Sequence, residues 1–413
     1  MSRLPAGWSL SNLGVLTQTK SGNSKLIKGK LSPQPTDGAT FPAFSASGQD
    51  VWTSTPEYSG DAVIVSAVGA RCGKAFLASG EWSAIANTHI VWPKPGLLNV
   101  RLLWYRINDE SFWVKGGSAQ PFVKVGATFE SPFGLPPASE QKRIADKLDT
   151  VLTRVDAVNT RLARVAPLLK RFRQSVLAAA TSGRLTEDWR GGRAVNETWR
   201  VIPLGKYVEN HDGARVPISE TLRTERRGAY PYYGASGVID TIDGFTHEGK
   251  FVLIGEDGAN LVTRSKPIAF IATGKIWVNN HAHVLKCKEG ASDEYLAYYI
   301  NSIDLTPYVS GSAQPKLNQK NLNTIPVPVP PTEEQTEIVR RVETLFAFAD
   351  RLEARLAQAQ TAATRLTPAL LAKAFRGELV PQDPNDEPAA ELLRRLASSP
   401  TAPAKRGRAA KAT

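Results

Sequence analysis

With 413 residues, 42% of them apolar and 22% charged, the chain is long enough for two or three domains and has the make-up of an ordinary globular protein. No apolar run approaches the roughly 18 residues of a membrane span, MSRLPAGWSL lacks a signal-peptide core, and two distant cysteines, Cys72 and Cys287, argue against a disulfide framework or a zinc site. The expectation is a cytoplasmic chain without membrane contact, and its +12 charge, with the tail AKRGRAAKAT, suits a polyanion such as nucleic acid.

In chain order, residues 1–135 read as a mixed α/β head, with a buried strand at Ala62–Val68 and aromatics beside a turn in FPAFSASG (41–48). Its loops carry Arg71 and Lys74 in VGARCGK, then Lys115, and then Ser118 and Gln120 in the pentapeptide GSAQP (117–121). Residues 136–183 follow as a helix whose apolar positions step by four and three: Ile144, Leu148, Val151, Val155, Val158, Leu162, Val165, Leu169, Phe172 and Val176. Unbroken heptads of this length predict a coiled-coil helix. Residues 184–198 form a linker.

The sequence then starts again. Residues 199–329 form a second α/β head, with YPYYGASG (230–237) answering FPAFSASG, and strands at Phe251–Ile254 and Pro267–Ala272. Its loops carry Arg264 and Lys266, a second GSAQP (311–315) with Ser312 and Gln314, and then Lys316, Asn318, Gln319 and Lys320. At an offset of 194, Pro136-Pro137 falls on Pro330-Pro331, Glu140-Gln141 on Glu334-Gln335, and Gly183 on Gly377. This is an internal duplication. The helix of residues 330–377 pairs through Ile338, Val342, Leu345, Leu352, Leu356 and Leu366, with Ala349, Ala359 and Ala363 on the same stripe. Residues 378–413 form a C-terminal segment and basic tail.

The helix ends carry their own signals. Thr332-Glu333-Glu334-Gln335 reads as a capping box and Gly377 as a C′ glycine, whereas Ala138 in the first copy passes the cap to Ser139 or elsewhere. Pro167 and Pro368 predict a kink or short break. Antiparallel pairing is expected, since a parallel pair would make the chain retrace the first helix. The expected architecture is two α/β heads joined by an antiparallel two-helix coiled-coil spacer with pseudo-two-fold symmetry.

No catalytic set is present in the sequence. Gly244–Lys250 has phosphate-loop spacing, but Phe251 stands where a Ser or Thr belongs. His281 and His283 lack acidic or Cys companions, so a structural role is expected and no metal. The loop cations and amides are suited to phosphates and base edges. Residues shared by the two heads should position nucleic acid, and residues that differ should specify sequence.

The head, GSAQP…PP-x-x-EQ, a heptad helix ending SGRLTEDWR, and then the same order again ending AFRGELVPQDPNDEPAAELL, resemble the specificity (S) subunit of type I restriction–modification systems. The resemblance implies that each head is a target-recognition domain reading half of a split site in double-stranded DNA, with the helices setting the gap. It also implies two docked methyltransferase subunits, which bind S-adenosylmethionine and methylate adenine, nuclease–translocase subunits that then join, and no cofactor or active site in this chain. The alternative is a cytosolic coiled-coil adaptor whose heads bind proteins. Steep salt dependence of binding would mark the DNA reader.

Overall fold

The computed structural model describes residues 4–311 and 314–398. These divide into two compact units, one holding the residues up to Arg161 with those from Gln360 onward, the other Leu162–Ala359. Each unit contains one head and half of each long helix.

In the first unit, strand Ser9–Asn12 pairs antiparallel with Pro132–Leu135, so the head's first and last strands close on each other. Between them lie two four-stranded sheets. One orders Thr17–Ser21, Thr88–Pro93, Ala62–Ser66 and Ala75–Ala78, and the other Gly48–Thr53, Phe41–Ser45, Glu81–Ala84 and Tyr58–Ser59. Ala62–Ser66 is buried along its whole length, as an uninterrupted apolar run requires. Helix Val100–Ile107 packs against the first sheet, capped by the Asn99 side chain.

The second unit repeats the plan. Arg200–Pro203 pairs with Pro326–Val329, and a six-stranded sheet contains His247–Gly255 between Ala282–Cys287 and Ala269–Val278. Phe251–Ile254 lies inside the first of these strands, and the expected strand at Pro267–Ala272 is displaced toward Ala269–Val278. In each head one pair is parallel, Phe41–Ser45 with Glu81–Ala84 and Tyr230–Gly234 with Ala269–Val278.

The long helices are Ala138–Thr181 and Thr332–Phe375, 44 residues each, or about 66 Å at 1.5 Å per residue. Antiparallel pairing is visible within each unit. Ile144 and Leu148 share a core with Leu371 and Ala374 in the first, and Val176 and Ala180 with Ile338 and Val342 in the second. One of the two heptad positions is better covered than the other, although Ile144 and Ile338 at the second position are buried where the helices start. Leu148, Val155, Leu169 and Val176 are buried on the first helix, and Val342, Ala349, Leu356 and Ala363 on the second. Val151, Leu162, Leu345 and Leu352 are half-buried. Val158 and Leu366, expected in the seam, are each 45% exposed.

Of the kink or short break expected at the prolines, the break does not occur: both helices run on through Pro167 and Pro368. The capping box is not formed either. The Thr332 hydroxyl donates to the Gly290 carbonyl, 3.1 Å away, and the first intrahelical bond, 2.9 Å long, runs from Gln335 N to Pro331 O. In the first copy Gln141 N likewise bonds Pro137 O, and Ser139 is taken up by Asp386. Glu-Gln serves another purpose, since all four side chains are buried. Trp8 Nε1 donates to Glu140 (3.0 Å) and Trp199 Nε1 to Glu334 (2.8 Å). Gln141 accepts from Asn99 N and donates to Leu97 O and Pro136 O. Gln335 accepts from Ser292 N and Tyr207 Oη and donates to Pro330 O. Each helix start is thereby bolted into its head.

The ends of the helices reach the same joints. Gly183 and Gly377 adopt φ of 77° and 71°, the left-handed geometry expected of C′ glycines. Arg190 donates to Gly183 O and, at 2.5 Å, to Glu334, joined there by Thr186. Gln382 donates to Gly377 O and Glu140. The stretch expected as a linker is therefore folded onto the second helix. In the first unit, helix Ala389–Ser398 buries Ala389 and Leu392 in the same core; the basic tail lies outside the described residues.

The two joints differ in charge. Glu334 faces a buried guanidinium, whereas Glu140 faces neutral partners and burial raises its pKa, opposed by the bonds from Trp8 and Gln382. Glu334→Gln should cost about 3 kcal/mol because it leaves Arg190 buried without a counter-charge. Glu140→Gln removes one acceptor and should cost about 1 kcal/mol. Urea unfolding of both variants beside the parent checks the ranking.

Candidate nucleic-acid interface

Gly117–Pro121 is the tip of a hairpin in the first head, and in the second Gly311, Gln314 and Pro315 lie inside the corresponding pairing. Gly116 pairs with Phe122 across the first copy, and Ser310 with Lys316 across the second. Gly117 and Gly311 hold φ of 77° and 83°, and a Cβ there would lie 2.5 Å and 2.6 Å from the carbonyl oxygens of Gln120 and Gln314. Only glycine fits both constraints. The hairpin is tied to a second repeated glycine, with Gly69 N donating to Pro121 O at 2.8 Å and Gly258 N to Pro315 O at 3.0 Å. The repeat is therefore a two-loop clasp.

In the first unit the clasp sets the Gly69–Lys74 turn beside the hairpin. It brings Arg71 and Lys74 together with Lys115, Ser118 and Gln120, all exposed except half-buried Lys74. In the second unit Gln314 is exposed at the tip, and Ser312 lies outside the described residues. Lys316, in the pair that closes the hairpin, sends its ammonium group to Glu256 at 3.2 Å. Asn318 caps helix Gln319–Thr324 through its side chain, which leaves Gln319 and Lys320 exposed on that helix. Arg264 turns away from the tip, donating to Asn301 O on helix Asp293–Ser302. Lys266 is exposed, its backbone held by Asn260.

A charged network that the sequence did not reveal supports the second clasp. Arg215 bonds Glu256 (2.6 Å) and the Ala282 carbonyl, while Asp212 bonds His283 Nδ1 (2.6 Å) and the Val284 amide. The other His283 nitrogen meets Leu317 O, so both are occupied in the head frame. His281 pairs with Asp257 at 2.7 Å. Among the described residues no cluster of three or more His, Cys, Asp or Glu could hold a metal ion. The Gly244–Lys250 segment runs into the strand His247–Gly255 and forms no phosphate loop. Burial pushes the Cys287 thiol well above its usual range.

Also missed was a cationic stretch that begins at the end of the strand Thr17–Ser21 and continues toward the aromatic strand, with a counterpart ahead of the aromatic strand in the second head. In the first head it carries Lys20, Lys25, Lys28 and Lys30. Lys28 pairs with Asp50, Lys20 sits over the Tyr58 ring, and Lys25 and Lys30 are exposed. The signal was four lysines within eleven residues. In the second head Arg215, Arg223 and Arg226 are held by Glu256, Asp240 and Asp243, and Arg227 is exposed.

Residues 25–166 and 196–360 match the family model described as the type I restriction modification DNA specificity domain. The chain belongs to this family. Each match spans most of one head and runs into a long helix. Among related type I specificity subunits, the EcoDI subunit of Escherichia coli is 28% identical over 414 residues, covering 92% of this chain and 90% of that one. The EcoBI subunit of the same species is 33% identical over 281 residues, 60% of this chain and 58% of its own. A solved HsdS subunit from Thermoanaerobacter tengcongensis shares the fold, with a TM-score of 0.58 at 19% identity, over 91% of this chain and 98% of that one. A chain solved in work on assembly and conformational transition of the type I R-M system reaches 0.69 at 18% identity, over 92% and 100%. The protein is thus a specificity subunit of a type I restriction–modification system, and the adaptor reading finds no support. No helix among the described residues is long and apolar enough to cross a membrane.

Burial opposes ionisation of Asp212 and Glu256, but His283 and Arg215 outweigh it and hold both carboxyls below their ordinary values. Their depressed pKa values give stability that is full above the unfolded value, about 4, and lost as pH falls through the folded values. Glu256→Gln should flatten the loss of thermal stability below about pH 4. Melting temperature measured against pH in both proteins checks this.

Proposed function

We propose that each head reads one half of a split, asymmetric site in double-stranded DNA, that the two long helices set the gap, and that the chain is a non-catalytic reader. The observation that carries the reading is one clasp used twice with unlike flanks. Phe122 stands where the second copy has Lys316, and Val68 where it has Asp257. Shared backbone geometry positions both loops on the duplex, and the differing side chains meet different bases. In the first head Arg71, Lys115, Lys25 and Lys30 take phosphates, and Ser118 and Gln120 face base edges. The helical region docks two methyltransferase subunits, which hold S-adenosylmethionine and methylate adenine, and nuclease–translocase subunits join that complex in the cytoplasm.

Mapping N6-methyladenine in DNA from cells with and without this gene tests the reading. Loss of one split, asymmetric motif is expected. An unchanged map with the methyltransferase subunit expressed contradicts it. Replacing Lys25 and Lys30 together by Ala should reduce the slope of log affinity against log salt by about 2, near 0.9 per phosphate contact, without altering the motif. Fluorescence anisotropy across a salt series measures that slope.

A further inference from the structure

The second unit has an open groove of about 970 Å³ bounded by the first long helix, helix Asp293–Ser302 and the loop ahead of strand Ala269–Val278. Its lining includes Phe270, Ile271, Tyr298 and Phe346, and its rim carries Lys170, Arg264 and Lys266. Arg264 is an unusual wall residue. It is a non-glycine at φ 48°, its guanidinium is half-buried, and desolvation lowers its pKa. Nη1 donates to Asn301 O, but Nη2 is buried and has no acceptor among the described residues. The left-handed backbone is that of a C-cap, since Arg264 closes helix Asn260–Thr263 with its amide bonded to Asn260 O, and the enclosed guanidinium places a fixed positive charge in the groove wall.

The cationic wall is peculiar to this half. From Gly258 to His283 the chain is five residues longer than from Gly69 to His89, and Arg264–Lys266 fall in the lengthened loop. In the first unit the position of Tyr298 is taken by Trp104, whose indole donates to Ala75 O, and nearby Arg106 stacks on Phe112 and Phe375.

We propose that this groove receives an acidic segment of a partner polypeptide bearing an apolar anchor, with its carboxylates at the exposed rim cations Lys170 and Lys266, so that the two halves offer non-equivalent docking sites. The proposal rests on the reading that methyltransferase subunits dock here, and goes beyond it in making their two sites unequal. Charge decides the occupant. Arg173 is satisfied by Asp350 and Glu353, which leaves Lys170, Arg264 and Lys266 facing Asp304 on the rim. A second copy of this chain, at +12, and its own tail AKRGRAAKAT have the wrong sign. A nucleic-acid phosphate would find an apolar floor.

The test titrates the methyltransferase subunit of the same system into the full-length chain and resolves the two binding steps by native mass spectrometry. Exposed positions are varied so that folding is spared, Lys266→Glu at the rim and Ala178→Trp to fill the groove. Each should weaken one step about tenfold and leave the other unchanged. Equal weakening of both steps, or no change with either variant, overturns the proposal. A parent chain that takes up no methyltransferase subunit instead contradicts the docking reading beneath it.

Discussion

A buried carboxylate in the first turn of each long helix is the contact on which the rest of each unit depends. Strand pairing brings the start of a head beside its end, which places Trp8 within reach of Glu140 and Trp199 within reach of Glu334. The neighbouring glutamine then satisfies backbone groups on both sides of the helix start. Such groups would be costly to bury unpaired, so head and helix form one cooperative structure. The segment that follows the descending helix closes the same joint from the other side, through Arg190 in one unit and Gln382 in the other. Direction of the helix, order of the strands and antiparallel pairing are thus fixed together.

Beyond the joint, the two units keep backbone features and change side chains. The hairpin, its glycine and the tie to Gly69 or Gly258 recur, while flanking residues and loop lengths diverge. A protein that reads two unlike half-sites with one frame needs this division. The frame must present the same backbone geometry twice, and glycines at positive φ allow the tight hairpin turn in both heads without a side chain at that point.

Much of this was legible in the sequence, because duplication exposes what the chain cannot change. The two heads and the heptad helices followed from the repeat and its spacing, the antiparallel sense from the chain not having to retrace the first helix, and the C′ glycine Gly377 from its place past the last heptad. The purpose of the repeated residues did not. Glu334-Gln335 looked like half of a capping box, since that motif is local, whereas its partners Trp199, Arg190 and Ser292 are distant in sequence. Val158 and Leu366 fit the heptad but lie at its rim, because periodicity gives a face and not the width of the partner. Asn318 and Arg264 have the chemistry of base and phosphate readers, yet one caps a helix and the other lines a groove. The Lys20–Lys30 stretch was visible as charge density and was passed over because it contains no repeat.

If the heads carry recognition and the helices carry spacing, the two can be separated. The most direct measurement is the methylated motif produced by a chain shortened by one heptad in each long helix, with residues 155–161 and 357–363 removed so that the seam stays in register. The result expected is a motif with both half-sites unchanged and a different gap between them. A motif with altered half-site bases, or the original gap retained, would contradict the division of labour described here.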